Sequence, residues 1–464
     1  MSQQTEKVSA ITEDSSRPRA TSSTRPDSSR RRFSTHVAWT LFARVLMTIN
    51  SIIAGIIVAR WLGAEGLGQL TVINVAVATI VQLGSAGLPS ANTYFIAQDK
   101  SRLPSAAVNS LIFALTAGAV LALGLTLLAA WRPLWFGFVP PRLIGIAALS
   151  IPFQLVTLIA LNIFLAVGRV ERFNLLDLAG QSLVLVNAFV ALVILNAGLW
   201  TLVSLNTAAS IGVGLLLVVL VGAYGVGMKG RSGWHPDLKL FGRMMRYGIK
   251  FHLSILAGLL IFRADIFVVN YFRGEAETGV YGVASQVAMM LMLLPGVMAT
   301  LLFPRVAAQR DETGALTCVV TRHAAFVMLL VSAATVPLSF LLPILYGQAF
   351  ADAGPQLLIL LPGVYLVGIE SVMVQHFNAT GLPLMIPLFW VATLLVNIAL
   401  TLALVPGMGA RGAALASTIS YALIFSLVAA YFRARTKRSF SETLLLRGSE
   451  LRALLRMGRL GASS

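Results

Sequence analysis

Apolar runs of membrane length recur along this chain from residue 35 to residue 432, and polar residues gather in short gaps between them. A helix needs about 20 mostly apolar residues to cross a hydrocarbon core of about 30 Å. The stretch 178–228 contains no Lys, Arg, Asp or Glu and has room for two crossings. A window of that length predicts twelve helical spans, at 35–59, 67–97, 106–130, 142–167, 173–195, 198–224, 247–272, 279–303, 321–345, 353–378, 382–405 and 410–432. The longest polar connection, "GMKGRSGWHPDLKLFGRMMR" at 227–246, lies in the middle and leaves six spans on either side. The predicted fold is therefore an all-α polytopic membrane protein of two six-helix lobes. Its parts are a disordered basic tail (1–34), an N-terminal lobe (35–224), an inter-lobe linker (225–246), a C-terminal lobe (247–432) and a basic amphipathic tail (433–464).

The two halves share a pattern. With Gly68 of "GAEGLGQLTVINVA" aligned on Gly279 of "GEAETGVYGVASQVA", both halves reach a glutamine 30 residues later, at Gln98 and Gln309. Gly84 and Pro295, both helix-softening residues, each stand 16 residues past the aligned glycine. Six spans return the chain to its starting face, so such repeats run parallel, related by an axis along the membrane normal.

Composition agrees: 57% of residues are hydrophobic and 11% charged, too few charges to cover a soluble surface. The alternating ten-residue segments of a membrane β-barrel are absent. One cysteine, Cys318, excludes an internal disulfide. The net charge of +17 matters through its sidedness. Internal loops on the side shared with both tails carry 13 basic residues and the opposite loops carry five, which predicts both termini in the cytoplasm. The Ser- and Arg-rich residues 1–32 cannot bury enough surface to fold. Their "SSRRRFSTH" resembles a twin-arginine signal, but Arg44 interrupts the apolar run that should follow. In the C-terminal tail, "SFSE" at Ser439 has capping-box spacing, and Leu444, Leu445, Leu451, Leu454 and Leu455 recur helically, as in a basic helix lying on anionic lipid.

Ionisable residues within the spans are the candidate chemistry, since each costs about 2.5–3.5 kcal/mol at bilayer depth even on the lenient insertion scale. In "LLIFRADIFVV" (259–269), Arg263 and Asp265 stand about 200° apart around the helix and cannot pair with each other. Arg263 shares its face with His252 and Asn270. In the first span Arg44 shares its face with Thr40, Thr48 and Ser51. These spans hold equivalent places in the two halves, so two cationic stripes facing one another would line a cavity attractive to an anion. The alternative is that both arginines tie helices together. Asp265 and Asp177 are expected at helix interfaces, and Glu370 is the candidate protonatable coupling group. Signals for enzymatic chemistry are weak: HExxH, GxSxG and phosphate-loop motifs are absent, and the glycine-rich "GAEGLG" reads as a short turn. Nothing points to nucleic acid, a metal or a cofactor.

Three segments resemble the polysaccharide-repeat (O-antigen type) flippases of the multidrug/oligosaccharidyl-lipid/polysaccharide exporter (MOP) superfamily. These are "ARWLGAEGLGQL" (59–70), "RADIFVVNYF" with the following "TGVYGVA", and "VPGMGARGAALASTISY" (405–421). The resemblance covers about 35–432. It implies a V-shaped bundle of two six-helix lobes in the cell's inner (plasma) membrane that moves undecaprenyl-diphosphate-linked oligosaccharides outward by alternating access. Expected partners are the lipid-linked oligosaccharide, membrane lipids, a counter-transported H⁺ or Na⁺, and polysaccharide polymerase or glycosyltransferases. Lipid II flippases of the superfamily use an arginine in the first helix, a place Arg44 would take. They have fourteen spans, however, and the second span here lacks arginine. A lipid II flippase, a cation-coupled multidrug exporter and a membrane glycosyltransferase or ligase stay open as alternatives.

Overall fold

A computed structural model of the chain describes residues 26–137, 139–227, 234–309, 311, 313–381 and 383–446. Every regular element among them is helical, as a lipid environment demands, because a helix satisfies its backbone groups internally. In chain order the helices are α1 (Pro26–Ser85), α2 (Leu88–Gln98), α3 (Leu103–Trp131), α4 (Pro141–Ala148), α5 (Ile151–Ala166), α6 (Val170–Ala188), α7 (Leu199–Gly227) and α8 (Leu238–Arg273). They continue with α9 (Glu275–Met290), α10 (Leu293–Gln309), α11 (Ala315–Ser339), α12 (Leu342–Tyr346), α13 (Ala353–Ala379), α14 (Met385–Met408), α15 (Ala410–Thr436) and α16 (Phe440–Leu444).

Eleven of the described stretches are long and apolar enough to cross a membrane. One of them, Trp39–Ser85, has 47 residues and would extend about 70 Å if straight, more than twice the hydrocarbon thickness. It is broken at Gly63, whose φ of 68° and ψ of −171° are not helical. It therefore holds two crossings, and the total is twelve. The short turn expected at "GAEGLG" is made at this single glycine. Several crossings are composite. The second joins the rest of α1 to α2 across Ala86 and Gly87, the fourth joins α4 to α5, and the eighth joins α9 to α10. The fifth continues from α6 into a π-helical turn over Phe189–Ile194.

The repeat is visible in the backbone. Gly274, 211 residues after Gly63, has nearly the same conformation, φ 83° and ψ −177°. Beyond these turns the helices of the two halves meet reciprocally. A Cβ on Gly68 would lie 1.9 Å from the carbonyl oxygen of Glu275, and one on Gly279 would lie 2.1 Å from that of Ala64. The same register separates both pairs, which is what a twofold axis along the membrane normal requires. The helix breaks are less symmetric: one falls just after Gly84, the other just before Pro295.

The lobes are tied at opposite ends of two seams. On the far side, opposite the basic loops, Arg60 donates to the carbonyls of Ile344 and Leu345, and Gln69 donates to Glu275 at 3.1 Å. On the basic side, Gly87 and Gly248 bring their backbones into contact and Tyr94 stacks on Tyr247, ring centroids 4.4 Å apart. Asn109 there exchanges two hydrogen bonds with the backbone of Asp237, which in turn caps α8 by accepting from the Leu240 amide.

Some boundaries shift. α1 begins at Pro26, inside the stretch read as tail, and α8 begins at Leu238, inside the stretch read as linker. The ninth crossing is 315–339 rather than 321–345. Arg322, one of the 13 basic residues counted on the tail side and lying at the edge of the predicted span, is buried two turns inside α11 and donates to the carbonyl of Glu442. Ser439 forms the expected capping box with Glu442, starting the short α16 that docks on α11. The remaining leucines of that predicted tail helix, Leu451, Leu454 and Leu455, lie outside the described residues.

Candidate functional site

A cavity of about 770 Å³ lies between the lobes. The second and fifth crossings give it much of its wall through faces of helical period: Thr71, Asn74, Ala78 and Gln82 on one, and Asp177, Gln181, Val184 and Asn187 on the other. Asn206 and Ser210 of α7 and Gln154 of α5 extend it into a side chamber of about 210 Å³ within the N-terminal lobe. Leu259 and Arg263 of α8 and Gln286 of α9 close it from the C-terminal lobe. Gln286 donates to the Ser51 hydroxyl at 2.9 Å, linking the lobes at the cavity wall.

Among many apolar side chains, the polar groups of this wall are mainly neutral amides and hydroxyls. Asn187 donates to Asn206 at 2.9 Å and Gln154 donates to Ser150 at 2.9 Å. These amides and hydroxyls hold further donors and acceptors that suit a hydroxyl-rich ligand, each able both to give and to receive. Among the described lining residues two carry charge, Asp177 and Arg263. Arg263 is thus the guanidinium of the cavity wall, a planar fork suited to phosphate or carboxylate oxygens.

The predicted residues divide. Arg263 and Ser51 line the cavity, and so does Asp177. Arg44 lies beside it: its Nη2 is 3.5 Å from Asp177, and its side chain stays 46% exposed. The expected face-to-face arrangement of the first and seventh spans is corrected here. Thr40 and Arg44 of the α1 stripe turn toward α6, where Asn174 donates to Thr40 at 2.7 Å and Asp177 takes Arg44, while Ser51 stays at the cavity wall. A carboxylate and an amide on α6 give those polar groups partners that α8 does not offer. Thr48 donates back to the Arg44 carbonyl of its own helix. His252 and Asn270 are buried and are not among the cavity's described lining. Asn270 instead packs at the far side against Gly137, where a Cβ would come within 2.6 Å of its amide nitrogen.

Asp265 sits on the opposite face of α8 from Arg263, as the helical geometry predicted. It is buried and accepts from the Tyr281 hydroxyl, from Ser417 at 3.0 Å and from the Ile266 amide at 2.8 Å. This joins the seventh, eighth and twelfth crossings within the C-terminal lobe. Glu370 is 1% exposed in α13, away from the cavity lining. Its Oε1 has no hydrogen-bond partner among the described residues.

The amide wall was missed by a reading centred on charge. Its signal was present in the sequence, where Asn206 and Ser210 stand one helical turn apart and Gln181 one turn after Asp177.

Comparisons with known proteins agree with this architecture. Residues 34–310 match the family described as polysaccharide biosynthesis protein. A probable low-salt glycan biosynthesis flippase, Agl15 of Haloferax volcanii, is 24% identical over 224 residues, 46% of this chain and 47% of that one. The chain thus matches about half the length of this curated relative. Among solved structures, an inward-facing multidrug resistance MATE family transporter of the MOP superfamily superposes with a TM-score of 0.71 at 15% identity, covering 84% of this chain and 94% of that one. The lipid II flippase MurJ in an inward closed conformation gives 0.70 at 14% identity, covering 85% and 87%. A MOP superfamily transporter from Pyrococcus furiosus gives 0.63 at 16% identity, covering 87% and 95%.

Proposed function

The chain belongs to the polysaccharide biosynthesis protein family, and from that premise we propose that it is a flippase of the MOP superfamily that moves a polyprenyl-diphosphate-linked oligosaccharide from the cytoplasmic to the outer leaflet. The carrying observation is the composition of the interlobe cavity, many neutral amides and hydroxyls with one lining guanidinium, Arg263. A diphosphate and its sugars cannot enter hydrocarbon unaided, because each polar group stripped of water without a partner costs several kcal/mol. The amide wall supplies partners for sugar hydroxyls and Arg263 a counter-charge for the diphosphate. Arg44, held by Asp177 in this conformation, is a second cation at the cavity edge. The lipid tail stays outside the polar cavity.

In this reading the basic side faces the cytoplasm, the protein spans the inner (plasma) membrane, and alternating closure of the two seams moves the site's access from one side to the other. No bond is made or broken. Glu370, an ionisable group buried in the C-terminal lobe, is the group that couples transport to H⁺ or Na⁺, in line with the cost of keeping such a residue at bilayer depth. Flipping of a fluorescent polyprenyl-diphosphate oligosaccharide by proteoliposomes tests the site. The double variant Arg44→Ala, Arg263→Ala should transport at under a tenth of the parent rate; parent-like transport would reject the anion site. If the parent fails on this lipid yet exports amphipathic cations, the protein is a drug exporter instead.

A further inference from the structure

Besides the polar cavity the interlobe seam holds a second, apolar space of about 460 Å³. Its walls come from both lobes. Ile80 and Leu128 belong to the second and third crossings, Phe267, Val268 and Phe272 to α8, and Leu402 to α14. Apart from the polar tips of Trp135 and Tyr271, Thr79 is the one lining side chain with a polar atom. The space lies in the far-side half of the bundle, since α8 ends at Arg273 and α3 at Trp131. On this same seam the basic-side half is shut by the Gly87–Gly248 contact and the Tyr94–Tyr247 stack. At bilayer depth an apolar surface of this kind is met by hydrocarbon, not by water.

Its relation to the cavity identifies which hydrocarbon. Leu259 and Arg263 face the polar cavity, and Phe267 and Tyr271 face the apolar space. These four residues are spaced by four along α8, so they form one slowly drifting stripe. Arg263 and Phe267 differ by about 6 Å of rise. The second crossing separates the two differently: Asn74, Ala78 and Gln82 face the cavity, while Ala76 and Ile80, on the opposite face at the same level, line the groove with Thr79. A polar chamber with a cation and an apolar groove thus adjoin along the same two helices. Together they match an amphiphile with an anionic head and a long chain.

We propose that this groove takes the hydrocarbon tail of the lipid whose anionic head is held at Arg263, the tail passing between the second and seventh crossings toward the far-side leaflet. This rests on the flippase reading above and adds the tail's binding surface and route. A bulk phospholipid chain would cover the groove without reference to Arg263; the tail of the transported lipid is tied to it.

Photocrosslinking tests the proposal. The full chain is placed in phosphatidylcholine nanodiscs with an undecaprenyl phosphate bearing a diazirine near its tail end, and labelled peptides are mapped by mass spectrometry. Labelling is expected on the segments containing Leu128 and Phe267–Phe272, suppressed at least fivefold by excess unlabelled undecaprenyl phosphate. It should fall by a similar factor in Arg263→Ala, and in Leu402→Trp, which fills the groove from a half-exposed position that tolerates bulk. A diazirine-bearing phosphatidylcholine should label these segments weakly and without competition. Equal labelling by that phospholipid, or labelling untouched by Leu402→Trp, would overturn the proposal. If the polyprenyl probe marks other segments while the parent still flips its lipid, the tail route is wrong and the flippase reading stands. If neither flipping nor competed labelling occurs, that reading fails as well.

Discussion

The reciprocal approach of Gly68 and Gly279 gives the sharpest test of how the lobes close. A methyl group at Gly279 would sit 2.1 Å from the Ala64 carbonyl oxygen and one at Gly68 would sit 1.9 Å from that of Glu275, against ordinary contact from 3.4 Å. Both obstacles are backbone atoms, so no side-chain rotation relieves them. The far-side helix ends must part by about 1.3–1.5 Å in either alanine variant. Overpacking of this kind costs about 1–3 kcal/mol. Set against only the state in which the far side is closed, that cost shifts the equilibrium toward far-side-open states by a factor of about 5–150. The readout is the distance distribution between spin labels on two exposed far-side residues, Trp131 of the N-terminal lobe and Met408 of the C-terminal lobe. Both are introduced as cysteines after replacing the buried Cys318. Gly279→Ala should add or enlarge a longer-distance population, and Gly124→Ala, where a Cβ meets nothing within 4 Å, should not. A Gly279→Ala distribution that overlays the parent, with unchanged thermal stability, would refute the reasoning.

Other consequences follow from the same contacts. Asp265→Ala leaves the hydroxyls of Tyr281 and Ser417 without their acceptor in a buried site, and should lower unfolding stability in detergent by about 2–4 kcal/mol. Tyr281→Phe, which removes one of those bonds, should cost about 1–2 kcal/mol on the same measurement. Arg44 is 46% exposed against 16% for its partner Asp177, and Gln keeps a donor there, so Arg44→Gln should change stability by about 1 kcal/mol or less while slowing flipping; a large stability loss with normal transport would make the pair structural. Ser439→Ala removes the capping box of α16 and about 1 kcal/mol of its docking, so hydrogen exchange over 439–445 should quicken severalfold with the twelve crossings unaffected. Glu370→Gln should leave folding intact and flatten the dependence of transport on pH or Na⁺; retention of the parent dependence would remove Glu370 from coupling.

The fold was legible because the bilayer imposes one dominant rule. Apolar length alone predicts the crossings. The weak repeat between Gly68 and Gly279 marked a real structural register, since those glycines lie where the two halves touch. Boundaries were less legible where polar and apolar character do not change at a helix end. Arg322 was placed at the very edge of a span because nothing local shows that Glu442, 120 residues later, offers it a carbonyl. The site divided in the same way. Helical phase separated Arg263 from Asp265 correctly, because that relation lies within one helix. Which helix each polar stripe meets depends on tertiary packing, so Arg44 and Thr40 were assigned to face α8 although their partners are Asp177 and Asn174 on α6. Asn270 followed the phase of Arg263, yet it lies near the far-side helix end, where the turn at Gly137 covers it.

One measurement bears most directly on the central claim, that a hydrated chamber between the lobes holds a lipid's diphosphate at Arg263. Ser210 lines both chambers, and Ser210→Cys in a Cys318→Ser background can be titrated with an anionic methanethiosulfonate with and without a polyprenyl-diphosphate lipid. The account predicts rapid modification of the free protein, protection by the lipid, and loss of that protection in Arg263→Ala. A thiol that resists the reagent, or protection that persists without Arg263, would contradict it.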